Sequence, residues 1–328
     1  MNTLWVCDAH RHLGVLPAFP IYGGPPVNPD TTARATVTEL AANAAGHCVR
    51  TVHHLDQFHT PELTACHERA LVHPYAHICV SAAVGAELRA GWGITATVIP
   101  NGVDSARFRA AAGPAGAAAR QAWRSRLGRY VLTVGEIEPR KGSLELLEAY
   151  AELHARLPQV RLVIAGGETL FDYHDYRTRW EQRATKLAVH PVVLGPVEHD
   201  ALPALVAGAG TFALPSTREG FGLAAMEALA AGVSLVVRDL PVFREIFSKA
   251  ARFARDTGQL AQQLHASLTT DSALARQAGQ ALAARYTWAA AAQRHLQLYR
   301  QLSRGEGLAA RPRGHRQPSA VAGGVEGG

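Results

Sequence analysis

The chain has 328 residues, 48% of them hydrophobic, with a formal net charge of +6, which excludes wholesale disorder and favours two ordinary domains over one. Acidic and basic residues are interspersed through most of its length, so charge alone decides little between nucleic acid, a membrane surface and a phosphorylated ligand; no nucleic-acid partner is expected, and peripheral contact with a membrane surface stays open. The longest apolar stretch, residues 204–215, is too short and glycine-broken to cross a bilayer, and residues 1–12 lack a signal-peptide core, so a soluble cytoplasmic protein is expected.

Periodicity is weak in the first hundred residues. A helix is expected over 36–45 and strands over 49–52, 77–80 and 97–99, making residues 1–109 a short α/β domain. All four cysteines (Cys7, Cys48, Cys66 and Cys79) fall here without a CxxC pair and read as free thiols. His73, His77 and Cys79 are close, but their spacing fits no zinc pattern and Pro74 would break a helix carrying both histidines, so no metal is expected. Residues 110–128 read as a linker, because 110–119 are alanine, glycine and proline with little to pack.

From residue 129 to 302 a second α/β domain is expected. Strand-like runs at 130–134, 161–165, 192–194, 211–214 and 234–237 alternate with helical patterns, which implies a parallel sheet covered by helices. Over 143–156, Leu144, Leu147, Ala151 and His154 share a stripe beside Leu146, Tyr150 and Leu153, with Ser143 as N-cap; over 223–231 a further helix ends at Gly232. After Asp256 the pattern is helical to Leu302, ending in a long helix whose Trp288, Leu296 and Tyr299 are expected on a sheet. Residues 303–328 read as a disordered tail.

Two segments lie where strands run into helices, the place where open α/β sheets bind ligands. In Gly135-Glu-Ile-Glu-Pro-Arg-Lys-Gly142 the cations Arg140 and Lys141 precede a helix start, which suits a phosphate; an exposed turn with two solvated cations fits those residues equally well. In Pro215-Ser-Thr-Arg-Glu-Gly-Phe-Gly222 the glycines permit close approach. The amides of Phe221, Gly222 and Leu223 are helix-start donors, and Glu219 and Glu227 can flank one molecule. From the residues alone, Glu219 as a helix cap and Glu227 as a solvated glutamate is the simpler reading.

Taken in order, these residues resemble the retaining, metal-independent glycosyltransferases of family 4, which have the two-domain GT-B fold. Glu219 and Glu227 match that family's E-x7-E element within EGFGL…EALAAG, and Val134-Gly135 through Lys141-Gly142 look like its VGR…KG loop. Asn101-Gly-Val-Asp104 with Phe108 resembles PNGVD…F, and Cys79-Val-Ser81, Leu194-Gly-Pro-Val197 and residues 239–245 also fall in the family's order, the likeness covering residues 47–302. The resemblance implies two Rossmann-like domains with parallel sheets facing a cleft, and a hexosyltransferase that takes a nucleoside diphosphate sugar as donor and needs no cofactor. It implies Lys141 and Arg140 on the diphosphate, and Gly220, Phe221, Gly222 and Leu223 on phosphate oxygens. Val197 falls in the base loop, Glu227 on the ribose, Glu219 on the donor sugar, and His53, beside His54, meets that sugar from the first domain. The acceptor and oligomeric state are left unassigned.

The family's arginine after the loop glycine is replaced here by Glu136, so Arg140 is expected to supply that charge. Only 52 residues precede His53, about half of what the resemblance implies, so the acceptor-side domain is expected to be incomplete; Gly23-Gly24 superficially resembles the family's first turn, but Pro25, Pro26 and Pro29 oppose a following helix. Hence the alternative: a catalytically impaired protein that still binds sugar nucleotides.

Overall fold

The computed structural model describes residues 5–7, 48–55, 61–166, 174–270 and 273–304. The helix expected over 36–45, the Gly23-Gly24 pair and the tail beyond 304 lie outside them, as do the side chains of Cys7 and Cys66.

Parallel strands buried on both faces read as short continuous apolar runs, and two sets form two sheets. The first has the order β1-β2-β3-β4, with β1 Trp5–Cys7, β2 Cys48–Val52, β3 Ala76–Cys79 and β4 Thr97–Val98, all parallel. The second has the order β10-β9-β8-β5-β6-β7, again parallel, from β5 Arg129–Val134, β6 Val160–Ala165, β7 Val192–Gly195, β8 Thr211–Leu214, β9 Leu235–Arg238 and β10 Ala251–Ala254. The pattern anticipates five of these; β10 escapes it because ARFA is short and carries an arginine. Successive residues feed opposite faces: Leu132, Phe212 and Val237 enter one apolar cluster, Val131, Ala213 and Val236 the other. From β5 the chain winds outward to β7, then returns to β8 and winds the other way. Strand order therefore reverses between β5 and β8, the place where open α/β sheets bind ligands at the strands' carboxyl ends.

Helices α1 (Pro61–Val72) and α2 (Ala82–Trp92) belong to the first sheet and are absent from the pattern reading, although α2 carries ordinary signals. Ser81 Oγ accepts from the Val84 amide, and Gly93 closes the helix at φ 67°. The span expected as linker is helical: α3 (Ser105–Ala112) and α4 (Ala117–Leu127) are separated by a short 3-10 turn at Pro114–Gly116. Alanine is the best helix former, and Phe108, Leu127 and half-buried Trp123 dock these helices on the cluster that includes Leu205 and Val206 of α7 (Leu202–Gly208), so the segment does pack.

The other helices of the second domain are α5 (Ser143–Arg156), α6 (His174–Lys186), α8 (Leu223–Ala230), α9 (Pro241–Phe247), α10 (Thr257–Thr269) and α11 (Ala273–Ala283). On α5 the buried residues are Ser143, Leu146, Leu147, Ala149, Tyr150 and Leu153, so the inward face centres on the row expected to lie beside the stripe. The final helix, α12 (Trp288–Ser303), packs on the first sheet: Ala291, Leu298 and Leu302 join Val49, Ile78 and Ile99, while Leu296 is 53% exposed. The crossing is tight. The Val103 amide donates to the Tyr286 carbonyl at 2.9 Å, and a Cβ on Gly102 would overlap the backbone of Trp288, so the Asn101-Gly-Val-Asp104 motif forms a joint between the sheets. Among the described residues no helix is long and apolar enough to cross a membrane.

Candidate functional site: two loops at the switch point

The loop after β5 and the loop after β8 flank the reversal. The first turns through Gly135 (φ 137°), a 3-10 turn at Pro139–Lys141 and Gly142 (φ 64°), where α5 begins. Ser143 does not cap α5 as expected. Gly142 holds the cap position, and the Ser143 hydroxyl exchanges hydrogen bonds with the backbone of Glu138, both at 3.3 Å, bracing the loop from inside. The second loop is fastened to the first: the Thr217 amide donates to the Arg140 carbonyl at 2.8 Å, and Arg238 Nε, at the end of β9, donates to the Pro215 carbonyl at 2.8 Å. Gly142 lies so close to that Pro215 carbonyl that a Cβ would overlap it, which together with its left-handed φ leaves glycine as the residue that fits.

This fastening brings Lys141 and Glu219 together. Lys141 Nζ donates to Glu219 Oε1 at 2.7 Å, Ser216 Oγ donates to the same oxygen at 3.3 Å, and Arg140 Nη1 stands 3.6 Å away. Burial alone would raise the Glu219 carboxyl, but the charge and hydrogen bond of Lys141, followed by Arg140 and His54, outweigh it and hold the carboxyl below its ordinary 4.5. Arg140 is itself gripped by Glu138, a buried carboxylate 2.7 Å from its Nη2. Glu136 and Lys141 line one small recess with Gly135 and Thr133.

The β8 loop ends at Gly222 (φ 87°), and no side chain caps α8. Its first amides therefore lack a side-chain acceptor at the carboxyl end of the sheet. The Phe221 side chain is not at the surface: it is 3% exposed and meets Tyr286 edge-on at 5.4 Å, so only its amide is available there. Leu223 is exposed. From the first sheet, His53 and His54 follow β2 directly, and Gly220 lies against the His53 carbonyl with no room for a Cβ. The two domains thus touch beside Glu219.

Val197 is half-buried against the core, in the loop between β7 and α7. Burial pushes the Glu227 carboxyl up to about 7, with Arg107 of α3 opposing and Asp104 adding to the rise. The Arg107 guanidinium also bonds the His199 ring and carbonyl, with Asp200 Oδ1 at 3.4 Å, and so ties α3 to the loop that carries Val197. Arg107, Glu138, Ser216 and Arg238 are not singled out from the sequence: Arg107 and Arg238 reach the site from distant segments, whereas Glu138 and Ser216 stand in the two loops themselves, Glu138 as a glutamate beside Pro139 in a loop expected to bind anions.

The Glu227 shift carries a stability consequence. Its folded value lies above its unfolded 4.5, so its contribution is fully present below pH 4.5 and is lost as pH rises towards 7. Glu227→Gln should therefore raise stability at pH 8 by on the order of 1–2 kcal/mol and leave it nearly unchanged at pH 4. Denaturant melts of both proteins at the two pH values check this, and an equal effect at both would contradict it.

Against known proteins, the profile described as "Glycosyl transferases group 1" matches residues 119–281, which hold both loops and α8. Phosphatidyl-myo-inositol mannosyltransferase of Mycobacterium tuberculosis is 30% identical over 282 residues, covering 80% of this chain and 70% of that protein. GDP-mannose:cellobiosyl-diphosphopolyprenol alpha-mannosyltransferase of Xanthomonas campestris is 32% identical over 209 residues, covering 62% and 52%. In fold, the Anabaena HepE protein solved with UDP and glucose superposes with a TM-score of 0.70 at 22% identity, covering 83% of this chain and 76% of that one. With two parallel α/β domains, crevice loops at the switch point and these relatives, the chain belongs to the glycosyl transferases group 1 family, glycosyltransferases of the GT-B fold.

Proposed function

We propose that the chain is a retaining, metal-independent glycosyltransferase that moves a sugar from a nucleoside diphosphate sugar to a hydroxyl acceptor. The observation that carries this reading is the meeting of Lys141, Arg140 and Glu219 at the β5/β8 reversal, beside the uncapped start of α8. Lys141, Arg140 and the amides of Phe221, Gly222 and Leu223 hold the diphosphate, and their positive ends stabilise the charge that grows on it as it leaves. Fixed cations and a helix start supply at that point what a metal supplies elsewhere, and the sequence has no DxD element to hold one.

Once phosphate oxygens take the Lys141 ammonium, Glu219 is ionised and free to accept hydroxyls of the donor sugar, with His53 facing it from the first domain. Glu227 accepts from the ribose, and Val197 lies along the base. Arg140, steadied by Glu138, supplies the cation absent at Glu136. Because two relatives are named as mannosyltransferases, one of them for GDP-mannose, we infer a guanine nucleotide as the first donor to try.

Isothermal titration of the full chain with UDP, GDP and ADP, each with and without EDTA, tests the reading. Micromolar binding of one nucleotide, unchanged by EDTA, is expected. A folded chain that binds none of the three would leave it without its donor site, and binding abolished by EDTA would overturn metal independence.

A further inference from the structure

A helix start leaves its first amides without partners inside the helix, and α2 shows how they are satisfied when the helix brings no acid in its own first turn. The Val84 amide goes to Ser81 Oγ and the Gly85 amide to the Ser81 carbonyl at 3.1 Å. The two that remain, Ala82 and Ala83, donate to the two oxygens of one carboxylate, each at 2.8 Å, and that carboxylate is Glu245, on α9 of the other domain. The neighbouring residues of α9, Val242, Phe243, Ile246 and Phe247, are buried in the second domain's core, so the carboxylate is presented from a rigid support.

What Glu245 grips is coupled to the site by register. α2 begins directly after β3, whose Cys79 pairs with Val52 of β2, and His53 follows Val52. Holding the start of α2 therefore holds the adjacent end of β2, the strand end that meets Gly220 beside Glu219.

We propose that Glu245 is a positioning residue: its carboxylate, bound to the start of α2, latches the first domain onto the second in the arrangement that sets His53 over the donor loops. This rests on the donor-site reading above. The latch is solvent-exposed, so it is reversible, and a carboxylate at a helix start gains from the axial dipole as well as from the two bonds.

The test uses the full chain and three readouts: nucleoside diphosphate affinity by titration, hydrolysis of GDP-mannose or UDP-glucose, whichever the unaltered chain turns over, and small-angle scattering. Glu245→Ala should keep nucleotide affinity within about twofold, because the nucleotide sits on the second domain, while turnover falls by roughly tenfold through misplacement of the first. Scattering should report a larger radius of gyration. Glu245→Gln, whose amide oxygen still accepts one bond, should fall between. Turnover and scattering unchanged in Glu245→Ala would overturn the latch, as would equal losses of affinity and turnover. An unaltered chain that binds no nucleotide would instead remove the donor-site reading, while the scattering change on Glu245→Ala would still support the latch.

Discussion

Lys141→Met is expected to lower sugar transfer by about two to three orders of magnitude, the usual cost of removing one preorganised donor from a developing anion. It should also destabilise the fold, for a reason independent of catalysis. Glu219 is 14% exposed, and Lys141 is the foremost group holding its carboxyl below 4.5. A depressed carboxyl contributes stability that is present above its unfolded value and lost as pH falls through the folded one. Without the ammonium the largest part of that contribution is lost and a nearly buried carboxylate is left to Ser216, Arg140 and the more distant His54, a penalty of about 2 kcal/mol at neutral pH.

Denaturant melts should show the Lys141→Met deficit narrowing as the pH drops below 4.5. The double variant Lys141→Met, Glu219→Gln removes the stranded charge, so stability should recover while transfer stays lost. Recovery of both together, or a deficit independent of pH, would contradict the pairing as the source of either effect.

Sequence legibility divides by how local each signal is. The strands of the second domain were readable because Tyr130 to Leu132 and Phe212 to Leu214 are buried on both faces and appear as unbroken apolar runs. Lys141 and Glu219 were readable because each stands in a loop between such a strand and a helix, and motif order did the rest. The partners were less legible. Nothing in the neighbourhood of Arg107 announces His199, and nothing near Glu245 announces α2, since those contacts join residues 92 and 163 positions apart.

The span expected as a linker, 110–128, is helical for another reason. Gly113, Pro114 and Gly116 are real breakers, and they interrupt two helices rather than mark a linker. The destination of α12 could not be read from its own periodicity, because an apolar face states that a helix packs but not on which sheet. That destination has a functional result. With β1 to β4 and α12 on one side of the crossings near Gly102 and Tyr286, the first domain is a body that meets the second at contacts such as Glu245 and Gly220.

Gly220→Ala tests the second of those contacts from the opposite direction. A Cβ there would overlap the His53 carbonyl, with Val80 Cγ2 3.1 Å away as the next neighbour, and a backbone carbonyl at a strand end cannot swing aside as a long side chain can. The loop after β8 is anchored by Thr217 and Arg238, so the cheaper response is for the first domain to back away. Transfer should then fall by about a hundredfold, as expected for a misplacement on the ångström scale, while nucleoside diphosphate affinity drops much less. Scattering should show expansion comparable to that of Glu245→Ala, and combining the two changes should add little to either alone, because both act on one junction. Fully additive losses would mean that Gly220 serves the donor phosphates directly and that closure is governed elsewhere. A parallel collapse of affinity in Gly220→Ala alone would point the same way, towards a glycine needed for the nucleotide rather than for the neighbouring domain.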